Sequence, residues 1–177
     1  MLLLAASWPV LPLDGVLQDE QGRAIADARA CLVAKHGLEV YCATSGENGR
    51  FVLPEAPAPT LRIQARGFQK LEIPAAATDK PYVMKRAATL LLHVVDAATG
   101  EPLEKAEAWL RRVDGTRRGP APVNRHGLRL GTLDPGFVQI EVAAAGYVQE
   151  RPGEAMLVGG KTIETTIRLQ PAGAPAE

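Results

Sequence analysis

Charge of one sign is missing from this chain: its 177 residues carry 20 basic and 20 acidic side chains, for a formal net charge of zero. With no stripe of Lys and Arg interleaved with aromatics, the composition argues against binding to nucleic acid, and against more than peripheral association with a membrane. Aromatics are scarce, at 5% of residues. Serine occurs only at Ser7 and Ser45, neither within a Gly-x-Ser-x-Gly nucleophile elbow, so serine hydrolase chemistry has no support. The two cysteines are not spaced Cys-x-x-Cys, which removes the usual redox motif. Long hydrophobic runs are absent as well. Leu2–Ala6 falls far short of the roughly 20 apolar residues that span a bilayer, and Pro9 and Pro12 interrupt the stretch after it. Nor does any window sustain a long helical period. What is plentiful is Gly (17) and Pro (14), and these fall between apolar runs, where they read as turn punctuation.

The chain repeats itself at a spacing of 78 to 79 residues. Val16–Ile25 aligns with Val94–Leu103, allowing one extra residue before the glycine, and Asn48–Leu53 aligns with His126–Leu130. Leu61–Phe68 then aligns with Ile140–Tyr147, each an apolar alternation closed by glycine and an aromatic. Within the repeats the alternation has period two. Leu61, Ile63 and Ala65 alternate with Arg62, Gln64 and Arg66, and Ile140, Val142 and Ala144 obey the same rule. Thr162–Leu169 is a further alternating strand, rich in Thr and Ile. Glu101–Arg112 has helical propensity, yet its place in the repeat assigns it to a strand. Strand after strand in two units of similar length predicts an all-β protein of two tandem antiparallel seven-stranded Greek-key β-sandwiches. The expected boundaries are an apolar arm at 1–12, sandwiches at 13–86 and 87–170, and a frayed Pro/Ala tail at 171–177. The arm reads in three ways: the remnant of an export signal, an edge strand, or an arm donated to a neighbouring subunit.

Cys31 and Cys42 flank two β-rich stretches around His36-Gly37, which read as a hairpin. If the register is symmetric about that tip, every cross-strand pair sums to 73, and Cys31 faces Cys42. A four-residue loop, Lys35–Leu38, puts the pair at a non-hydrogen-bonded site, with Cα atoms about 4.5 Å apart, within closing distance of a disulfide. A two-residue loop makes the pair wider, and two small buried thiols are then the alternative. A disulfide places the chain in an oxidising, exported location.

In the first unit the motifs stand as DEQGRAI, ENGRFVL and ARGFQKL, and in the second as DAATGEPLEKA, RHGLRLGTL and AAGYVQE. Together they resemble the carboxypeptidase regulatory-like domain, a transthyretin-like or prealbumin-like sandwich, over nearly the whole chain. Gly127-Leu128-Arg129 departs from the Gly-x-Phe that Gly49-Arg50-Phe51 keeps. The resemblance implies the sandwich of that type, and a role as an accessory, adhesive, carbohydrate-binding-like or scaffold module. It also draws attention to His36-Gly37-Leu38-Glu39, which has the His-x-x-Glu spacing of a metallocarboxypeptidase. A hairpin tip, however, does not supply three preformed zinc ligands and an open position. His93 and His126 lie on other elements. No metal, cofactor or catalytic residue is therefore expected.

Phe51 reads as a core anchor. Phe68 and Tyr147, each after a turn glycine, are either lids on a sandwich end or ring platforms for a sugar or partner. Trp109, in an Ala-Trp-Leu strand, is either core or an interface ring. Arg111, Arg112, Arg117 and Arg118 surround Asp114-Gly115, as either a solvated loop or a basic knob for an acidic partner. The function expected is a non-enzymatic structural or interaction protein, accessory or scaffold to a bacterial cell-envelope or surface assembly, with protein partners. The alternative is a carbohydrate-binding module using Trp109, Tyr147 or Phe68, its ligand a glycan.

Overall fold

The computed structural model describes residues 12–54, 60–76, 80–149 and 151–173. Of the expected arm and tail, residues 1–11 and 174–177 lie outside the described residues. The chain divides into two compact units, Met1–Arg86 and Ala87–Glu177.

The first unit holds strands β1 (Leu13–Asp19), β2 (Arg29–Val33), β3 (Glu39–Thr44), β4 (Arg50–Leu53), β5 (Thr60–Gln64), β6 (Leu71–Pro74) and β7 (Tyr82–Met84). They form two sheets, ordered β4-β1-β7 and β3-β2-β5-β6. Alternation decides which side chains go between the sheets: Leu61 and Ile63 are fully buried, while Arg62 and Gln64 face outward. Phe51 is buried as expected, and its ring meets that of Tyr82 at 5.8 Å between centroids. Both rings lie over Gly15, where an added Cβ would come within 2.6 Å of each. The glycine in β1 is thus the space into which the two aromatics pack.

The second unit holds β8 (Ala88–Asp96), β9 (Ala106–Arg112), β10 (Arg117–Val123), β11 (Leu128–Leu133), β12 (Gly136–Ala143), β13 (Tyr147–Val148), β14 (Gly153–Leu157) and β15 (Thr162–Pro171). Its sheets are ordered β11-β8-β15-β13 and β10-β9-β12-β14. Replacing β1, β2, β3, β4, β5, β6 and β7 by β8, β9, β10, β11, β12, β14 and β15 turns the first plan into the second, with β13 added. The core is aliphatic, built on Leu90, Leu92, Leu110, Ile140, Leu157 and Leu169. Glu101–Arg112 supplies a strand and no helix, with Ala106, Ala108 and Leu110 inward.

The tandem β-sandwich is what the sequence pattern predicts, with three corrections of detail. One sheet of each unit is mixed, because β1 pairs parallel with β7 and β8 pairs parallel with β15, while the other two sheets are antiparallel throughout. Period-two alternation assigns a face and carries no direction, and a last strand that arrives from the opposite sheet is not constrained as a hairpin is. The second unit has eight strands among the described residues, since Tyr147 and Val148 pair with Pro171 and Gln170. Pro171 is accordingly the end of a strand, not the start of a tail.

All six glycines that mark the repeat turns, Gly22, Gly49, Gly67, Gly100, Gly127 and Gly146, have positive φ. At Gly49 and Gly127 a side chain is excluded by space as well, because an added Cβ would lie 2.4 Å from the Leu17 carbonyl and 2.7 Å from the Leu92 carbonyl.

Candidate functional site

The hairpin of β2 and β3 has the predicted register. Arg29, Ala30, Cys31 and Leu32 face Thr44, Ala43, Cys42 and Tyr41, so each pair sums to 73. Cys31 and Cys42 form a disulfide with Cα atoms 4.1 Å apart, the short spacing of a non-hydrogen-bonded pair. A 3-10 turn over Lys35–Gly37 closes the loop, with His36 and Gly37 both at positive φ. One departure is a register shift between Leu32 and Val33, which leaves Val40 as the extra residue opposite them.

Cys31 is buried although it points away from the core, and a ladder of charges beside it was not legible in the sequence. The Glu39 carboxylate takes Arg29 at 2.7 Å and Arg62 at 3.3 Å, and Arg62 also holds Glu72 at 2.6 Å, which Lys70 reaches at 3.1 Å. The ladder thus links β3, β2, β5 and β6 over one sheet face. The Arg62 hydrogen bond holds the Glu72 carboxyl below its usual range, with Lys70 adding to the effect. Of the His-x-x-Glu spacing, His36 stands on the tip, and Glu39 is engaged by two arginines. The donor atoms of Cys31, Glu39 and Cys42 lie within 4.8 Å of one another, but the two sulfurs are bonded to each other.

The three ring residues singled out in the sequence each pack within their own unit. Trp109 is half-buried on the outer face of β9, with the Arg117 guanidinium 4.8 Å from its ring centroid and Gly119 packed beside it. Phe68 packs partly against the core of the first unit, under Arg86 at 5.3 Å. Tyr147 packs partly against the core of the second, and its hydroxyl donates to Asp96 at 2.9 Å. Each ring has a local partner, on three different elements.

The four arginines are similarly divided. Arg111 and Arg117 face each other across β9 and β10, and Arg117 pairs with Glu141 at 2.7 Å. Arg112 instead donates to the carbonyls of Asp134 and Pro135, both at 3.1 Å, fixing the β11–β12 turn. Arg118 borders a hollow of about 160 Å³ with Arg112, Leu110 and Val138, but Asp134 lines the same hollow.

The other conspicuous polar groups hold the frame. Ser45 is buried, its hydroxyl donating to the Ile25 carbonyl at 2.8 Å and accepting from the Ala28 amide at 2.9 Å. Asp19 and Asp96, each the buried last residue of its unit's first strand, cap equivalent turns. Asp19 accepts from the amides of Gln21 and Arg23 and from the Arg23 guanidinium, which above all lowers its carboxyl to about 2. Asp96 accepts from the amides of Ala98 and Thr99 and from Tyr147, and its carboxyl is lowered chiefly by the Thr99 amide. The shared sequence position of the two aspartates was the available signal. The link to Tyr147, 51 residues away, left none.

The exposed large apolar side chains of the first unit are Val52 on β4, Val83 on β7 and three at the hairpin, among the described residues. Leu38, Val40 and Tyr41 are 68%, 44% and 48% exposed. Among the described residues, no helix is long and apolar enough to cross a membrane.

No family model and no curated protein matches the sequence. Among solved structures, the chain is similar in shape to the Bacillus anthracis TIE protein, at 18% identity and a TM-score of 0.47, over 92% of this chain and 34% of that one. It is similar also to a streptococcal ancillary pilin, at 13% identity and a TM-score of 0.46, over 93% of this chain and 63% of the pilin. A third is the shaft pilin SpaA from Lactobacillus rhamnosus GG, at 13% identity and a TM-score of 0.44, over 94% of this chain and 100% of that one. The chain spans about a third of the TIE protein and less than two thirds of the ancillary pilin. Scores and identities this low assign neither a family nor an activity.

Proposed function

We propose that the chain is a non-enzymatic structural and interaction subunit, accessory or scaffold to an exported envelope or surface assembly, built from two sandwiches of the carboxypeptidase regulatory-like type. The observation that carries this reading is the β2–β3 hairpin. A disulfide and a four-strand charge ladder hold it in place while Leu38, Val40 and Tyr41 face solvent. Apolar side chains presented on a rigid element lose little freedom when a partner covers them, which is the economy a docking surface needs. The disulfide supports an oxidising compartment. The carboxylates with displaced pKa values, Asp19, Asp96 and Glu72 among them, are accounted for by turns and ladders of the frame.

The test is purification from the envelope fraction of the native cell, with light scattering on the eluted species and mass spectrometry of every co-eluting chain. The reading expects stoichiometric partner chains or a polymer. Recovery from the cytosol as a lone monomer contradicts it.

A further inference from the structure

Internal duplication allows one edge of the molecule to be judged against its own counterpart. β3 and β10 occupy the same place, each the outer strand beside the second strand of its unit. An exposed strand edge is a template for another chain, and proteins blunt such edges with prolines, charges and irregularities. β10 has all three: Pro120 and Pro122 lie within it, the exposed Arg118 stands near its start while Arg117 is turned over the sheet face to Glu141, and its pairing shifts between Arg118 and Ala121. β3 has neither proline nor a charge directed at the edge. Its one charged residue, Glu39, is turned onto the sheet face by Arg29 and Arg62. Its own irregularity, at Val40, is confined to the loop end, and Tyr41–Thr44 pair regularly with β2.

We propose that this edge of β3 pairs with the same edge of a second copy of the chain, antiparallel, joining two four-stranded sheets into one of eight about a two-fold axis. The inference rests on the reading of the chain as an interaction subunit and names a partner for it. The backbone dictates which registers are possible. Because Cys31 and Cys42 form a non-hydrogen-bonded pair, the amide and carbonyl of Cys42 point away from β2, as do those of Thr44. The Ser45 amide bonds back to the Ala28 carbonyl, in keeping with that phase. A new antiparallel ladder must match outward groups with outward groups, so paired residue numbers sum to an even number. Charge selects among these registers. A sum of 86 sets Glu39 against Glu47 of the second copy, two like charges, whereas a sum of 84 sets it against Ser45. With the axis at Cys42, Tyr41 lies opposite Ala43 and Val40 opposite Thr44, each larger side chain facing a smaller one. The contact is isologous and therefore closes as a dimer. So short an edge buries less than the roughly 1,600 Å² of a standard interface, which sets the association in the weak, micromolar range.

The experiment is sedimentation velocity on the full, oxidised chain from about 10 to 500 µM, the span in which a weak contact of this size is populated. A dimer fraction that rises with concentration is expected. Thr44→Pro removes an outward amide that serves no internal bond, placing in β3 the device β10 already has, and is expected to weaken dimerisation at least about tenfold. Tyr41→Lys is expected to act likewise, and Met156→Lys, on β14, to leave it unchanged. Register is tested separately with Cys31→Ser, whose single remaining thiol at Cys42 is expected to give a covalent dimer on treatment with diamide. Monomer at every concentration, or dimers indifferent to both Thr44→Pro and Tyr41→Lys, overturns the proposal. A monomer that still co-purifies with envelope partners overturns it while leaving the interaction-subunit reading in place.

Discussion

The two halves of this chain use one strand plan with two different interiors and two different edges. In the first unit a pair of aromatic rings, Phe51 and Tyr82, closes over a glycine in the first strand. In the second the corresponding space is filled by Leu90, Leu92 and their aliphatic neighbours, with no aromatic among the buried core residues. Core volume can be divided in either way so long as the alternation and the turn glycines are kept. The plan is set by faces and reversals, and the filling is free to vary. The edges differ in the opposite sense. The second unit carries prolines and arginines on β10, while the first ties β3 to β2 with a disulfide and leaves its apolar side chains Val40 and Tyr41 exposed.

That contrast can be broken one unit at a time. The largest effect is expected from Phe51→Ala, which should cost the first unit about 3–5 kcal/mol, against about 2–5 kcal/mol for Leu92→Ala in the second. Hydrogen-exchange mass spectrometry in urea checks both: each variant should release the peptides of its own unit at lower denaturant and leave those of the other in place. Gly15→Ala should cost about 1–3 kcal/mol, because the new methyl meets both rings over β1. Pairing Gly15→Ala with Phe51→Leu should recover part of that loss, a non-additivity that a double-mutant cycle reads directly. Reduction of the disulfide should cost the first unit about 2 kcal/mol and the second nothing, since the closed loop is short and already restrained by β pairing.

The smallest effects concern the paired aspartates. Asp19 has a folded-state pKa lowered to about 2 from 3.8, so its contribution is full above the unfolded value and is lost as pH falls through that window. Asp96 is lowered in the same direction. Asp19→Asn should flatten the acid limb of stability for the first unit alone, and Asp96→Asn for the second alone, in exchange profiles recorded between about pH 5 and 2.

Features of this fold were legible in the sequence to the extent that they are local. Alternation at Leu61–Gln64 and Ile140–Ala143 fixed the faces, and the six glycines fixed the reversals, because each depends on a few neighbouring residues. The Cys31–Cys42 pairing was legible for the same reason, as a symmetry of one hairpin. The parallel closure of β1 with β7 was not, since direction is decided by a crossing and not by the strand's own residues. Repeat alignment misplaced one core position: the counterpart of Phe51 is not Arg129, which is exposed, but Leu128 and Leu130 on either side of it, both packed against the core. The side-chain contacts around the candidate site lay furthest out of reach. Glu39 with Arg62 and Tyr147 with Asp96 join residues distant in the chain, and nothing local in either residue announces its partner.

The most direct test of the unequal edges is amide exchange by NMR on the full chain at low and high concentration. Cys42 and Thr44, whose amides point away from β2, are expected to gain protection as concentration rises. Tyr41 and Ala43, already bonded to β2, and the whole of β10 are expected to stay as they are. Protection of Cys42 and Thr44 that does not change with concentration, or a gain in β10 equal to theirs, would contradict an open edge on the first unit and a closed one on the second.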